Sequence, residues 1–199
     1  MWFSWLRNRK RNESSCRRPT YRPRLEALED RWVPSRLTVT NNLDSGAGSL
    51  RAEIAAAHYG DTIVFAPSLD GQTITLTSGE LLLKKNLTIA GPGADQLTIS
   101  GNNASRVFEV ARGTVTLIGL TISNGLAQTG NGGGILTYGN LTVSNCTLSF
   151  NRVTYAVGDA GGGAIFNYNG TLTVTSCTVS NNNATVGGVA FSMMISPES

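Results

Sequence analysis

Large rings, charge and chemistry-bearing side chains are all scarce in this 199-residue chain. Aromatic residues make up 7% and charged residues 15%, and there is one histidine, His58. A lone histidine excludes any site that needs two imidazoles. Three cysteines, Cys16, Cys146 and Cys177, supply neither a Cys-x-x-Cys pair nor a dense disulfide framework. No apolar run approaches the roughly 18 residues of a membrane-spanning helix, so no transmembrane helix is expected. With so few bulky side chains to bury, the chain is expected to favour a regular architecture that satisfies its backbone through long hydrogen-bonded ladders.

The chain is instead rich in glycine, with 23 residues, and in threonine, serine and asparagine. Its net charge of +3 hides two unlike regions. Residues 1–36 hold ten Lys/Arg against four Asp/Glu, and the remainder holds six against nine. The basic excess therefore belongs to a leader, and nothing in the body points to nucleic-acid binding. Trp2, Phe3, Trp5 and Leu6 are too few for the ~7–15-residue apolar core of a secretory signal. By composition residues 1–36 read as a disordered basic leader or sorting segment.

After the leader, Leu37-Thr38-Val39-Thr40 alternates as a strand, and Asn41 to Gly48 supplies turn residues. Ser49 is placed to cap a short helix, with Leu50, Ile54 and Ala57 on one face. A single helix here would plug the open end of a solenoid, with Arg51, Glu53 and His58 on its solvent face.

From Lys85 onward the chain repeats itself. TVTLIGLTISNG (Thr114 to Gly125), NLTVSNCTLSFN (Asn140 to Asn151) and TLTVTSCTVSNN (Thr171 to Asn182) align without gaps. Their spacing varies while the strands do not, as when each repeat is one coil of a solenoid and length changes fall in loops. Within a copy the apolar positions run Leu141, Val143, Cys146, Leu148. The odd step from Val143 to Cys146 would put the two pairs on opposite faces of a flat strand. Both face one core only if the backbone turns a corner, here at Asn145 and in the other copies at Gly119 and Ser176. Stacking then aligns Leu120, Cys146 and Cys177 in one inward ladder. The cysteines would be close enough to bridge, although buried thiols acting as small hydrophobes are favoured. Asn151 and Asn182 should stack with their amides bonded along the axis.

Glycine runs at Gly132-Gly133-Gly134 and Gly161-Gly162-Gly163, with a weaker copy at Gly187-Gly188, are expected to be tight turns needing positive φ. The GGGI and GGGAIFN turns, each followed by Thr-rich LTV-S-C-T strands, resemble the repeats of bacterial right-handed parallel β-helix proteins. They are also similar to the GGAI-type repeats of polymorphic outer-membrane proteins and adhesins. Asp44-Ser45-Gly46-Ala47-Gly48-Ser49-Leu50-Arg51 resembles an SLREA-type cap, with Glu53 and His58 departing from that pattern. Arg24-Leu25-Glu26-Ala27-Leu28-Glu29-Asp30-Arg31 resembles the LEALEDR-type motif of exported bacterial surface proteins, which implies export.

The expected fold is thus all-β: a right-handed parallel β-helix over residues 37–190, behind a short capping helix and the leader, with residues 191–199 as an irregular, truncated tail. Open edges at that last coil would favour self-association. Beyond Asp95 the acids are only Glu109, Asp159 and Glu198, and no two fall at equivalent positions of adjacent coils. That argues against paired-carboxylate chemistry, and Asp159 alone is a weak Ca²⁺ ligand. No residue is assigned to catalysis, a cofactor or a metal. The expectation is a non-enzymatic surface or secreted protein whose partners are glycans or cell-envelope components. The alternatives are the first part of a polysaccharide-degrading β-helix and a truncated reading frame without function.

Overall fold

The computed structural model describes residues 33–154, 161–184 and 191–193. The leader before Val33, Asp159 and the Gly187-Gly188 pair lie outside them. The described residues form a parallel β-solenoid, as the repeats imply. β1 (Arg36–Val39) opens the stack, and α1 (Leu50–Ala56) follows it. The first full coil carries β2 (Thr62–Phe65), β3 (Gln72–Thr75) and β4 (Leu81–Leu83). The second carries β5 (Leu87–Ala90), β6 (Leu97–Ser100) and β7 (Phe108–Val110).

The next three coils gain a short extra strand. The third consists of β8 (Thr114–Ile118), β9 (Thr121–Ser123), β10 (Leu126–Ala127) and β11 (Ile135–Thr137). The fourth consists of β12 (Asn140–Ser144), β13 (Thr147–Ser149), β14 (Arg152–Val153) and β15 (Ile165–Asn167). The fifth consists of β16 (Leu172–Thr175), β17 (Thr178–Ser180), β18 (Asn183–Ala184) and β19 (Phe191–Met193). Corresponding strands stack into a first sheet of order β1-β2-β5-β8-β12-β16, a second of β3-β6-β9-β13-β17, a third of β4-β7-β11-β15-β19, and the small β10-β14-β18.

Register explains the core. Ile63, Ile89, Leu117, Val143 and Val174 stack in the first sheet, and Ile74, Ile99, Ile122, Leu148 and Val179 in the second. The first four of each series are buried. At ~1.5–3 kcal/mol per fully buried side chain, these two columns alone supply a large part of the hydrophobic driving force. Their fifth-coil members, Val174 and Val179, are only half-buried.

The predicted corners are present. Gly119, Asn145 and Ser176 adopt left-handed φ of 60°, 52° and 52°. That reversal restores both apolar pairs of a repeat to one core. A second left-handed corner, at Asn124, Phe150 and Asn181 with φ of 51°, 57° and 56°, leads out of the second sheet. Asparagine tolerates this region, whereas Phe150 holds it against a steric preference of ~1–2 kcal/mol.

The glycine runs have a different cause from the one expected. Gly132 has φ of +72°, but Gly133, Gly134, Gly162 and Gly163 do not lie in the left-handed region. They are glycine because there is no room for a Cβ. At Gly133 it would lie 2.5 Å from the Arg152 carbonyl oxygen and 2.6 Å from that of Gly163. The runs pair with each other, Gly133 N–H to Gly162 O at 3.0 Å and Gly134 N–H to Gly163 O at 3.1 Å. They are close approaches of stacked backbone.

The described residues pair at both ends of the stack. Ser35, expected in the leader, donates its N–H to the buried Asp61 carboxylate at 2.7 Å and accepts from Thr62 N–H at 2.9 Å. Phe191–Met193, expected in the irregular tail, pairs as β19 in parallel with β15.

Candidate functional site

The N-terminal end is built around α1. Ser49 caps it, its hydroxyl accepting from Ala52 N–H at 3.2 Å, and Leu50 and Ile54 turn into the core. Lys85 donates to the carbonyls of Ala55 and Ala57 at the other end, where a cation complements the helix dipole.

Arg51 is not on a solvent face. Its guanidinium bonds the Asp44 carboxylate at 2.7 Å and donates to the carbonyls of Gly79 and Glu80 at 2.6 and 2.9 Å. The other Asp44 oxygen accepts from Ser78 N–H and the Thr77 hydroxyl. Partial burial of Asp44 pushes its pKa up, but hydrogen bonds from Ser78 and Arg51 outweigh it and bring the value down to about 2. His58 keeps an exposed side chain but is anchored through its backbone. Its N–H reaches Asp61 at 2.7 Å, and its Nδ1 lies 3.7 Å from the same carboxylate. Backbone donation from His58 and then from Ser35 lowers the Asp61 pKa.

Next to this cap lies a carboxylate pair that the sequence reading misses. Arg106 grips Glu80 with Nε–Oε2 at 2.5 Å and Nη2–Oε1 at 3.3 Å, and its Nη2 is 3.7 Å from Glu109 Oε2. Burial, then the neighbouring Glu80, raise the Glu109 pKa against the pull of Arg106 and Lys84. Of this pair Glu109 lies beyond Asp95, and its partner Glu80 comes from the preceding coil, where Leu82 is opposite Glu109. A groove of about 310 Å³ opens beside Glu80 and Arg106, with Ser105, Leu126, Gln128 and Thr129 on its walls. Among the described residues no cluster of three or more His, Cys, Asp or Glu side chains converges as a metal site.

The outer faces of the first two sheets carry a different kind of array. Thr62, Thr88, Thr116, Thr142 and Thr173 stack in register on the first sheet. Thr73, Thr98, Thr121, Thr147 and Thr178 do so on the second. Parallel strands ~4.8 Å apart set the hydroxyl spacing. On the second sheet Thr121 donates to the Ala94 carbonyl at 2.5 Å. The first-sheet column is directed at solvent, half-exposed through Thr142 and exposed at Thr173.

Cys146 and Cys177 stack as predicted and are both free thiols. Each Sγ lies near a carbonyl of the coil before it, Cys146 to Leu117 at 3.7 Å and Cys177 to Val143 at 3.5 Å. They thus point the same way along the axis. Burial pushes the Cys146 pKa up to about 11. That is a packing cysteine, far from thiolate chemistry.

No helix among the described residues is long and apolar enough to cross a membrane. Set against known protein families, characterised proteins and solved structures, the chain matches none of them.

Proposed function

We propose that the protein is a non-enzymatic bacterial surface or secreted β-solenoid that contacts glycans or other cell-envelope components through its outward hydroxyl ladders. The observation that carries this is the first-sheet column of five stacked threonines, Thr62 to Thr173. An uncharged row of hydroxyls repeating at ~4.8 Å offers donors and acceptors in step with an extended polyol and no cation to favour a polyanion. The test is retention on insoluble neutral polysaccharide of the natural chain and of a Thr88→Val/Thr116→Val/Thr142→Val variant. Valine keeps the shape and strand preference and removes only the hydroxyl. Retention should fall several-fold at unchanged melting temperature. Equal retention would remove the ladder from the binding face.

A second reading, a polysaccharide-cleaving solenoid, rests on Glu109, whose raised pKa suits a general acid beside the groove at Glu80 and Arg106. Release of reducing ends from polysaccharide, lost in Glu109→Gln, would establish it. The close grip of Arg106 on Glu80 favours an intercoil ion pair instead.

A further inference from the structure

Tyr138 and Tyr168 occupy equivalent positions in successive coils, immediately after β11 and β15. Tyr138 N–H bonds Val110 O and Tyr168 N–H bonds Thr137 O, both at 2.8 Å, so each tyrosine begins the turn from the third sheet back to the first. Their ring centroids are 5.3 Å apart with planes inclined at 51°. Both remain exposed, at 45% and 41%. Phe166, fully buried, backs the second ring at a centroid distance of 6.5 Å.

Gly139 follows Tyr138 directly, whereas Asn169 and then Gly170 follow Tyr168. A Cβ on Gly139 would meet the Gly113 carbonyl, and one on Gly170 would meet the Gly139 carbonyl, so no larger residue fits at either position. Beyond the glycines come Asn140 and Thr171, locked together by donation of Thr171 N–H to Asn140 Oδ1 at 2.9 Å. The next outward residues are Thr142 and Thr173 of the hydroxyl column. On the N-terminal side Tyr138 lies above Ala111, with Arg112 beyond it turned onto the Lys84 carbonyl at 3.0 Å. The corner therefore offers two amphipathic rings beside amide and hydroxyl groups.

We infer that Tyr138 and Tyr168 form a stacking platform for successive sugar rings of a neutral pyranose polymer lying along the solenoid axis. The inference rests on the glycan reading above and names its site. Three features select the occupant. The rings repeat once per coil, close to the length of one residue in an extended pyranose chain. An aromatic face takes up the apolar C–H face of a pyranose, while the phenol hydroxyl stays in water. The threonine column next to the rings suits a ligand rich in hydroxyls. Orderly backing by Phe166 and the glycine-bound corner means little entropy is lost when the rings are engaged.

The probe is a soluble β-1,4-linked glucose hexamer, added to the full chain while Tyr ring resonances are followed. Expected are saturable shifts at Tyr138 and Tyr168, at least tenfold weaker binding in Tyr138→Ala and in Tyr168→Ala, and near-native binding in Tyr138→Phe/Tyr168→Phe, which keeps both rings and guards against loss of fold. Binding lost in the Thr88→Val/Thr116→Val/Thr142→Val variant but kept in both alanine variants would overturn the platform and leave the glycan reading standing. No binding by the natural chain to this hexamer, to a xylan or to a chitin oligomer would overturn both. Shifts produced by a proline-rich peptide and by none of these sugars would overturn the platform as a sugar site.

Discussion

The side-chain amide of buried Asn151 donates to Oδ1 of Asn182, one coil further on, at 3.0 Å. It also donates to the Ile122 carbonyl at 2.9 Å, and its own Oδ1 accepts from Gly125 N–H at 2.9 Å. One side chain thus ties three coils together at the exit from the second sheet. The ladder stops at Gly125, where a Cβ would lie 2.8 Å from Asn151 Oδ1. Asn151→Ala leaves a buried N–H and a buried carbonyl without partners, each worth ~1–3 kcal/mol, so the loss in urea unfolding should be about 2–4 kcal/mol. Asn182→Ala should cost less, because Asn182 is only half-buried. Equal losses would mean that the bonding along the axis matters little.

Gly163 faces backbone atoms of Asn183 that would stand 2.7–2.8 Å from an added Cβ. Backbone cannot rotate away as a side chain can. Gly163→Ala should therefore destabilise by more than about 2 kcal/mol, in the range of overpacked cores. Gly71 meets nothing within 4 Å and carries only a left-handed φ of 74°. Gly71→Ala should cost nearer ~1 kcal/mol, the penalty for left-handed backbone. Chemical denaturation of the two variants side by side checks the ranking.

Acid should act on the N-terminal cap first. The Asp44 pKa is depressed from 3.8 to about 2 in the folded chain, so its contribution is present above pH 3.8 and is lost as pH falls toward 2. Glu109 acts in the opposite sense: its raised pKa favours the protonated folded form, so its contribution grows as pH falls through that value. Asp44→Asn should flatten the loss of stability between about pH 4 and 2, and Glu109→Gln should leave that window unchanged. Thermal melts across pH 2 to 6 read both.

Thiol labelling should distinguish the two stacked cysteines. Cys146 is 2% exposed with its pKa pushed up to about 11, whereas Cys177 is half-buried in the last described coil. Labelling should be slow at Cys146 and faster at Cys177. Cys146→Asp should destabilise by several kcal/mol, since it buries an unpaired charge. Rapid labelling of Cys146 would place it off the core.

The sequence makes the fold legible because local pattern and global architecture agree. Leu141, Val143, Cys146 and Leu148 need a corner at Asn145 to share a core, and φ at Asn145 is 52°. Less was readable where cause lies in distant backbone. Gly133 looks like a turn glycine until the Arg152 and Gly163 carbonyls are beside it. The two-residue strands β10, β14 and β18 are too short to leave a periodicity. Arg51 has the spacing of an exposed helix residue, yet its partners Asp44, Gly79 and Glu80 come from a loop and from the first coil. The pairing of Glu80 with Glu109 is not legible in the sequence because the length of the early coils is not set by any repeated motif. The tyrosine pair was visible as sequence but not as a surface, since only stacking brings the rings to 5.3 Å.

The central claim is that residues about one coil apart in sequence sit side by side in register, and methyl-labelled threonine NMR tests it most directly. Cross-peaks should run in a single chain from Thr62 to Thr88, Thr116, Thr142 and Thr173, each linking only its neighbours in that column. Threonine methyls that show contacts only to residues nearby in sequence, or to partners displaced by one position, would contradict the stacked solenoid and the hydroxyl face built on it.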